Sequence, residues 1–486
     1  MDERADLLKD PQKLWGVGEV LKLSIPTAMG MINSTVMQFI DGLMVAQIGP
    51  LGPEALSAQF SAGILSFVPQ ALMMGTLTVV NTFVAQNYGA GRLHKCSQYT
   101  WAALFLAAAW SLAVLPLIPA AGAIFAAVGH EPVVQHLEVI YFRYMIVGQL
   151  AFLASRVLES FFYGTQRPVV VYVTSLAANA INFVAALVLI FGRWGLPAMG
   201  LAGAGLATLI GQTSGLAILA AFFLYGKARA RYDTRGQVGV RRRQVLDLLR
   251  IGWPAGFQMS IDVLGWALVI TLLVGNIPTV NGIASPEAGT VHLTASTVAL
   301  RYAQLAFMPT IGISIAATAL VGRYIGERRL HLVRRRVLAA LLLGVGYMGL
   351  CGLAFWIFRR PLMSFYLTLE RPSTAALIPQ IVEVGSKVLI VGAIFQVFDA
   401  AGIIFIGALR GAGDTLWPMA VSAALMVGVI LGGGWLMLKL FPQLESLGAW
   451  IACAAYVIVL GITMLARFEA GKWRQIDLLG IRPPVH

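Results

Sequence analysis

Charge is what this sequence has least of. Of its 486 residues only 12% are Asp, Glu, Lys or Arg, whereas a soluble domain is about one quarter charged. That shortage excludes an ordinary water-soluble domain, and the mean hydropathy of +0.79 and the 58% hydrophobic content point to a chain that crosses a membrane many times. Cysteine is nearly absent as well. Cys96, Cys351 and Cys453 are odd in number, far apart and form no CxxC pair, which indicates neither a disulfide framework nor a zinc site. There is no HExxH, no GxSxG and no GxxxxGK[ST], so neither a hydrolase nor a nucleotide-driven pump is written in the chain. It reads as a non-enzyme that needs no cofactor. The opening "MDERADLLKDPQKLWGVGEV" is too polar for a signal peptide and reads as a cytoplasmic, amphipathic lead-in over residues 1–20.

What the chain has is long apolar runs. Windows of about 20 residues bounded by turns or charges place spans at 21–48, 55–86, 97–120, 133–163, 169–191, 199–225, 251–275, 291–324, 337–358, 375–408, 416–437 and 446–466. With loops assigned alternately, 26 of the 35 Lys and Arg residues fall on one side, 5 on the other and 4 within spans. This bias puts both termini in the cytoplasm of a multi-pass plasma membrane, such as a bacterial inner membrane. It also explains the net charge of +13 without nucleic acid.

The basic stretch "GKARARYDTRGQVGVRRR" at 226–243 divides spans 1–6 from spans 7–12 and reads as a linker, 226–250, that anchors topology and touches anionic headgroups. It separates an N-lobe, 21–225, from a C-lobe, 251–466, followed by a cytoplasmic tail, 467–486. The halves echo each other. "LKLSIPTAMG" (21–30) faces "LRIGWPAGFQ" (249–258), aligning Pro26 with Pro254, and "VAQNYGAGR" (84–92) faces "VGRYIGERR" (321–329). Six spans per half make the repeats parallel, with a substrate site expected between the lobes.

The twelve spans in two halves, "FIDGLMVAQIG" in span 1, "VAQNYGAGR" closing span 2 and "QVFDAAGIIFIGALRGAGDT" in span 10 together resemble the multidrug and toxic compound extrusion (MATE) transporters, within them the NorM-like branch. The resemblance covers nearly the whole chain. It implies an all-α membrane fold of two six-helix bundles that exports amphipathic, often cationic drugs in exchange for Na⁺ or H⁺, here expected to act as a monomer. The alternative within the same superfamily is a flippase for a lipid-linked sugar or other lipid precursor.

Acids inside apolar spans are costly, by about 2.5–3.5 kcal/mol on insertion scales, and usually mark an ion path or a partner. Asp262 and Asp399 lie about 18 and 15 Å from the cytoplasmic ends of spans 7 and 10 at 1.5 Å per residue, so they can face each other. Two carboxylates sharing a dehydrated cavity retain a proton, bind a cation such as Na⁺, or pair with a basic residue. The resemblance carries the coupling role onto both, Asp262 standing eight residues after Pro254 where the branch often has Glu. Gln258 and Gln396 share the faces of the two acids and offer neutral oxygens. Asp41 in span 1 is a third candidate, in the other lobe. The DinF-like branch adds a second acid in span 5, four residues after an Asn; here Asn182 is followed by Ala186, so that acid is missing.

Arg143 and Arg301 are the basic residues that could pair with these acids, Arg301 alternatively lining the substrate path. Met37, Met44, Phe67, Trp266 and Phe395 offer an adaptable apolar wall or plain packing surface. Glu383 with Lys387 and Arg156 with Glu159 have intrahelical pair spacing. His94, His130, His292 and His331 are read as solvated loop residues.

Overall fold

The computed structural model describes residues 16–370 and 377–480; residues 1–15 of the lead-in and 481–486 of the tail lie outside them. Apolar sequence that cannot leave backbone amides unpaired in lipid folds as helix. The spans are Val17–Ala46, Gly52–Gly89, Leu93–Val114 with Leu117–Val128, Pro132–Val147 with Gln149–Gly164, Pro168–Phe191, Gly200–Leu224, Arg242–Val274, Ala288–Gly326, Leu330–Glu370, Ile378–Ala412, Leu416–Leu440 and Ser446–Glu469, numbered 1 to 12 below. Nine of these pass length and hydropathy criteria for crossing a membrane, and the two bent pairs bring the number to eleven. Span 1, at 30 residues, is about 45 Å long; its polar residues, Glu19, Lys22, Asn33 and Asp41 among them, dilute its apolar character. Span 3 bends by 54° where Pro116 interrupts it, and span 4 by 43° at Gly148. Prolines also begin spans 4 and 5, where a missing N–H leaves no bond unmade.

The two bundles meet through spans 1, 2, 7 and 8, and the sequence echo becomes a set of mirrored contacts. A Cβ on Gly75 of span 2 would lie 2.6 Å from the Ala255 carbonyl oxygen of span 7, and one on Gly312 of span 8 would lie 2.6 Å from the Ala28 nitrogen of span 1. Gly75 and Gly312 occupy matching positions of the repeat, as do the Pro26 and Pro254 turns they press against. Only glycine lets the backbones approach this closely, the usual device for helix packing in lipid.

Several expectations change. The basic linker is partly helical and packed. Gly226–Tyr232 is a short helix, and span 7 already starts at Arg242 because nothing between there and Ile251 breaks the helix and Leu248 is fully buried. The segment between them is pinned to span 3: Ser97 donates to the Tyr232 carbonyl (2.7 Å), and the Trp101 indole N–H to the Thr234 carbonyl (2.7 Å). The tail packs too, Trp473 stacking on Phe468 at 5.4 Å. His292 is no solvated loop residue. It is fully buried in the first turns of span 8, bonded to Ser446 Oγ and to the Thr279 carbonyl oxygen, both 2.8 Å. Above it sits a two-stranded hairpin, Thr279–Val280 with Ile283–Ala284, too short to show in the sequence pattern. His130 is likewise paired, its Nδ1 2.7 Å from Glu138 Oε1. Glu383–Lys387 and Arg156–Glu159 do form intrahelical pairs, at 3.0 and 2.8 Å.

Candidate functional site

The lobes are joined at the end of the molecule that carries the linker. Thr82 Oγ1 of span 2 donates to the Arg410 carbonyl (2.8 Å), Gln86 Nε2 to the Gly411 carbonyl (3.0 Å), and Asn81 Nδ2 to the Ile315 carbonyl (3.3 Å). A charged cluster closes the same end: Glu19 of span 1 accepts from Tyr324 Oη (2.6 Å), Arg336 Nε (2.8 Å) and Arg323 Nη1 (3.2 Å), while Arg323 also donates to Gln166 Oε1 (2.7 Å). In the other half, spans 1, 2, 7 and 8 present apolar side chains such as Phe39, Phe60, Leu264 and Leu305 that are 45–56% exposed. The cross-lobe bonds named above all lie at the linker end, so the lobes are tied there and the cleft between them opens the other way.

Within the C-lobe, spans 7, 10, 11 and 12 bring polar groups together. Tyr456 Oη of span 12 lies 3.4 Å from Asp262 Oδ1 and within electrostatic reach of Asp399. Asp262 also feels Asp399 directly. Gln258 Nε2 donates to Ser422 Oγ at 2.8 Å, which draws Gln258 to span 11. Gln396, 1% exposed, has no partner for either its nitrogen or its oxygen. An orphaned buried amide one turn from Asp399 is an unmet hydrogen-bonding capacity, available to a cation through its oxygen. The C-lobe thus holds Asp262 with the Tyr456 hydroxyl against it, and Asp399 with the unpartnered Gln396 amide one turn away. Among the described residues no three His, Cys, Asp or Glu side chains gather as a metal site.

The structure does not bring Arg301 to the acids. Its guanidinium stands 6.0 Å from the Phe60 ring of span 2, across the cleft, and it forms no ion pair with Asp262 or Asp399. Arg143 is exposed on span 4. The cation that acts on Asp262 is Arg410, which sequence reasoning assigned to a loop. It lies in the last turn of span 10, eleven residues and so three turns beyond Asp399 on the same face, with its Nε buried and without a partner. That i, i+11 spacing was the signal available in the sequence. Tyr456 and Ser422 carried none, being ordinary residues made important only by packing.

In the N-lobe the Tyr141 hydroxyl of span 4 bonds with Gln59 and Thr208 and lies within electrostatic reach of Asp41. Asn182 is buried, its Oδ1 without a partner, where Gly211 lets span 6 come close. Met37 is 6% exposed and so is packed inside rather than placed on the cleft wall. Trp266 packs on the C-lobe core, 6.3 Å from Trp450.

Two membrane-spanning bundles with half-buried acids in each have the architecture of a transporter. The MatE family model matches residues 26–188 and 267–433, and the chain belongs to that family. It is 28% identical over 480 residues to a probable multidrug resistance protein NorM of Mesorhizobium japonicum, covering 98% of this chain and 97% of that one. It is 30% identical over 469 residues to another from Bradyrhizobium diazoefficiens, covering 93% and 94%. Among solved structures, it resembles a MOP superfamily transporter from Pyrococcus furiosus with a TM-score of 0.83, at 19% identity over 96% of this chain and 97% of that one. It also resembles a multidrug resistance MATE family transporter in its outward-facing conformation, with a TM-score of 0.79 at 18% identity over 94% and 96%.

Proposed function

We propose that this chain is a secondary multidrug efflux antiporter that exports amphipathic, often cationic compounds in exchange for H⁺ or Na⁺ by alternating access. The observation that carries the reading is the Asp262–Tyr456–Asp399 grouping inside the C-lobe, beside the orphaned amide of Gln396. Empty and ionised, the two acids repel; a proton or Na⁺ relieves that repulsion, so the site responds to the coupling ion. A cationic drug in the cleft and the coupling ion then favour different states, and only such differential affinity moves an equilibrium.

Span 10 links this chemistry to access. One rigid helix holds Asp399 and, about 16 Å further on, the Arg410 and Gly411 carbonyls that Thr82 and Gln86 of the other lobe bind. A shift of span 10 when the acid site loads loosens the seam that closes the linker end. With the basic loops in the cytoplasm of a bacterial inner membrane, that closed end faces inward and the cleft faces out, the arrangement for drug release. Asp41 supplies a second titrating site in the N-lobe. Drug efflux from proteoliposomes under imposed H⁺ or Na⁺ gradients tests the exchange: uphill efflux driven by one of the two supports it, and efflux indifferent to both contradicts it.

A further inference from the structure

The N-lobe holds a carboxylate that the account above does not use. Glu138 of span 4 is fully buried. Its Oε1 accepts from Ser61 Oγ of span 2 and lies 2.7 Å from His130 Nδ1, while its Oε2 is buried with no partner at all. His130 is 40% exposed at the end away from the linker, so its ring joins solvent to a carboxylate that solvent does not touch. A buried acid with one oxygen unsatisfied is expensive to keep for packing alone.

The position of Glu138 in the lobe is also informative. It lies six residues into span 4, and Asp41 lies five residues from the end of span 1, so both sit about 8–9 Å below the cleft-side ends of their helices. Tyr141, one turn from Glu138 on the same helical face, has its hydroxyl within electrostatic reach of Asp41. Gln59 and Ser61 of span 2 attend Tyr141 and Glu138 respectively. Asp41 and Glu138 thus lie at similar depth in the same lobe. Of the elements packed on this part of span 4, the Leu117–Val128 helix and span 6 carry no charged residue, and span 2 carries Glu54, two turns from Ser61. On span 4 itself His136, Glu131 and Arg143 are all exposed.

We propose that Glu138 is the second proton-carrying carboxylate of the N-lobe, supplied from span 4 where span 5 has Ala186, and that His130 exchanges its protons with the solvent on the cleft side. The imidazolium gives its Nδ1 proton to Glu138 and becomes neutral imidazole. Glu138 then holds that proton as a neutral carboxyl. Solvent reprotonates His130. Each hop moves one proton and needs no other reactant. The inference rests on the H⁺ form of the function proposed above.

The test is proton movement driven by a drug gradient in proteoliposomes, followed with a trapped pH-sensitive dye, for wild type, His130→Ala and Glu138→Gln, each first shown to elute as a single species. His130→Ala is expected to slow proton movement about tenfold, the low side of general acid–base effects, and millimolar imidazole to restore it. Glu138→Gln is expected to slow it without rescue. His130→Ala at the wild-type rate overturns the inference, and so does a loss that imidazole does not restore, which makes the pair a structural brace. A wild type that moves drug with Na⁺ but no protons overturns it as well and leaves antiport intact; a wild type that moves drug with neither ion overturns the antiport reading itself.

Discussion

Gly89 and Gly326 press on each other's helices in the same way: a Cβ on Gly89 would stand 2.1 Å from the Arg323 carbonyl oxygen, and one on Gly326 would stand 2.1 Å from the Gln86 carbonyl oxygen. The register that pairs Gly89 with Gly326 also pairs Gln86 with Arg323, so the crossing of spans 2 and 8 is a two-fold contact between repeats. It is also where the lobes are closed.

A bulky residue at either glycine therefore acts on the closed state. Gly89→Val forces the two backbones apart at a cost of about 1–3 kcal/mol, borne mainly by the conformation closed at the linker end. Alkylation of a cysteine at Thr82, a residue fully buried in that conformation, is expected to rise at least severalfold in Gly89→Val relative to the same cysteine in an unaltered background. Equal labelling would show that the crossing does not gate access.

Glu19 gathers three donors from the other lobe, Arg323, Tyr324 and Arg336. Glu19→Gln removes the charge that satisfies two guanidinium groups, one of them only 8% exposed, and a lost hydrogen bond to a charged group is worth about 1.5–3 kcal/mol. Distances between spin labels placed across the linker end should shift toward the longer population. A distribution identical to wild type would make the cluster passive.

Tyr456→Phe keeps the ring and removes the hydroxyl that lies against Asp262. The contact is long, 3.4 Å, so the thermal midpoint should change little while coupled efflux falls about tenfold. A proportionate loss of stability and activity would instead mean that the hydroxyl only holds span 12 in place.

Arg301→Ala provides the contrast. Arg301 meets a ring and not a carboxylate, and an exposed contact of that kind is worth about 0.5–1 kcal/mol. The ion dependence of efflux should be unchanged, measured as rate against imposed gradient, even if drug affinity moves a few-fold. A changed ion dependence would put Arg301 back beside the acids.

The spans and the repeat were legible because lipid leaves few choices: apolar runs of sufficient length must be helices, and a parallel duplication must place Gly75 where Gly312 is. The acids were legible for the complementary reason, since Asp262 and Asp399 are conspicuous in apolar surroundings. Their company was not. Arg301 lies mid-span and looked like their partner, but side-chain direction turns it to the cleft, whereas Arg410 at a helix end looked like a loop cation and acts on Asp262. Tyr456, Ser422 and the buried setting of Glu138 depend on which helices pack together, which spacing within one helix cannot reveal. Linker residues Tyr232 and Thr234 carried no signal of their packing, yet their backbone carbonyls are taken by Ser97 and Trp101.

The central claim is that Asp262 and Asp399 form one ion-responsive site. It is tested most directly by gradient-driven drug efflux in proteoliposomes containing Asp262→Asn, Asp399→Asn or both. The account predicts that either single substitution abolishes the response to the imposed ion gradient and that the double variant is no worse than the singles, since two groups acting as one unit are not additive. Gradient-driven efflux that survives in both single variants would contradict it.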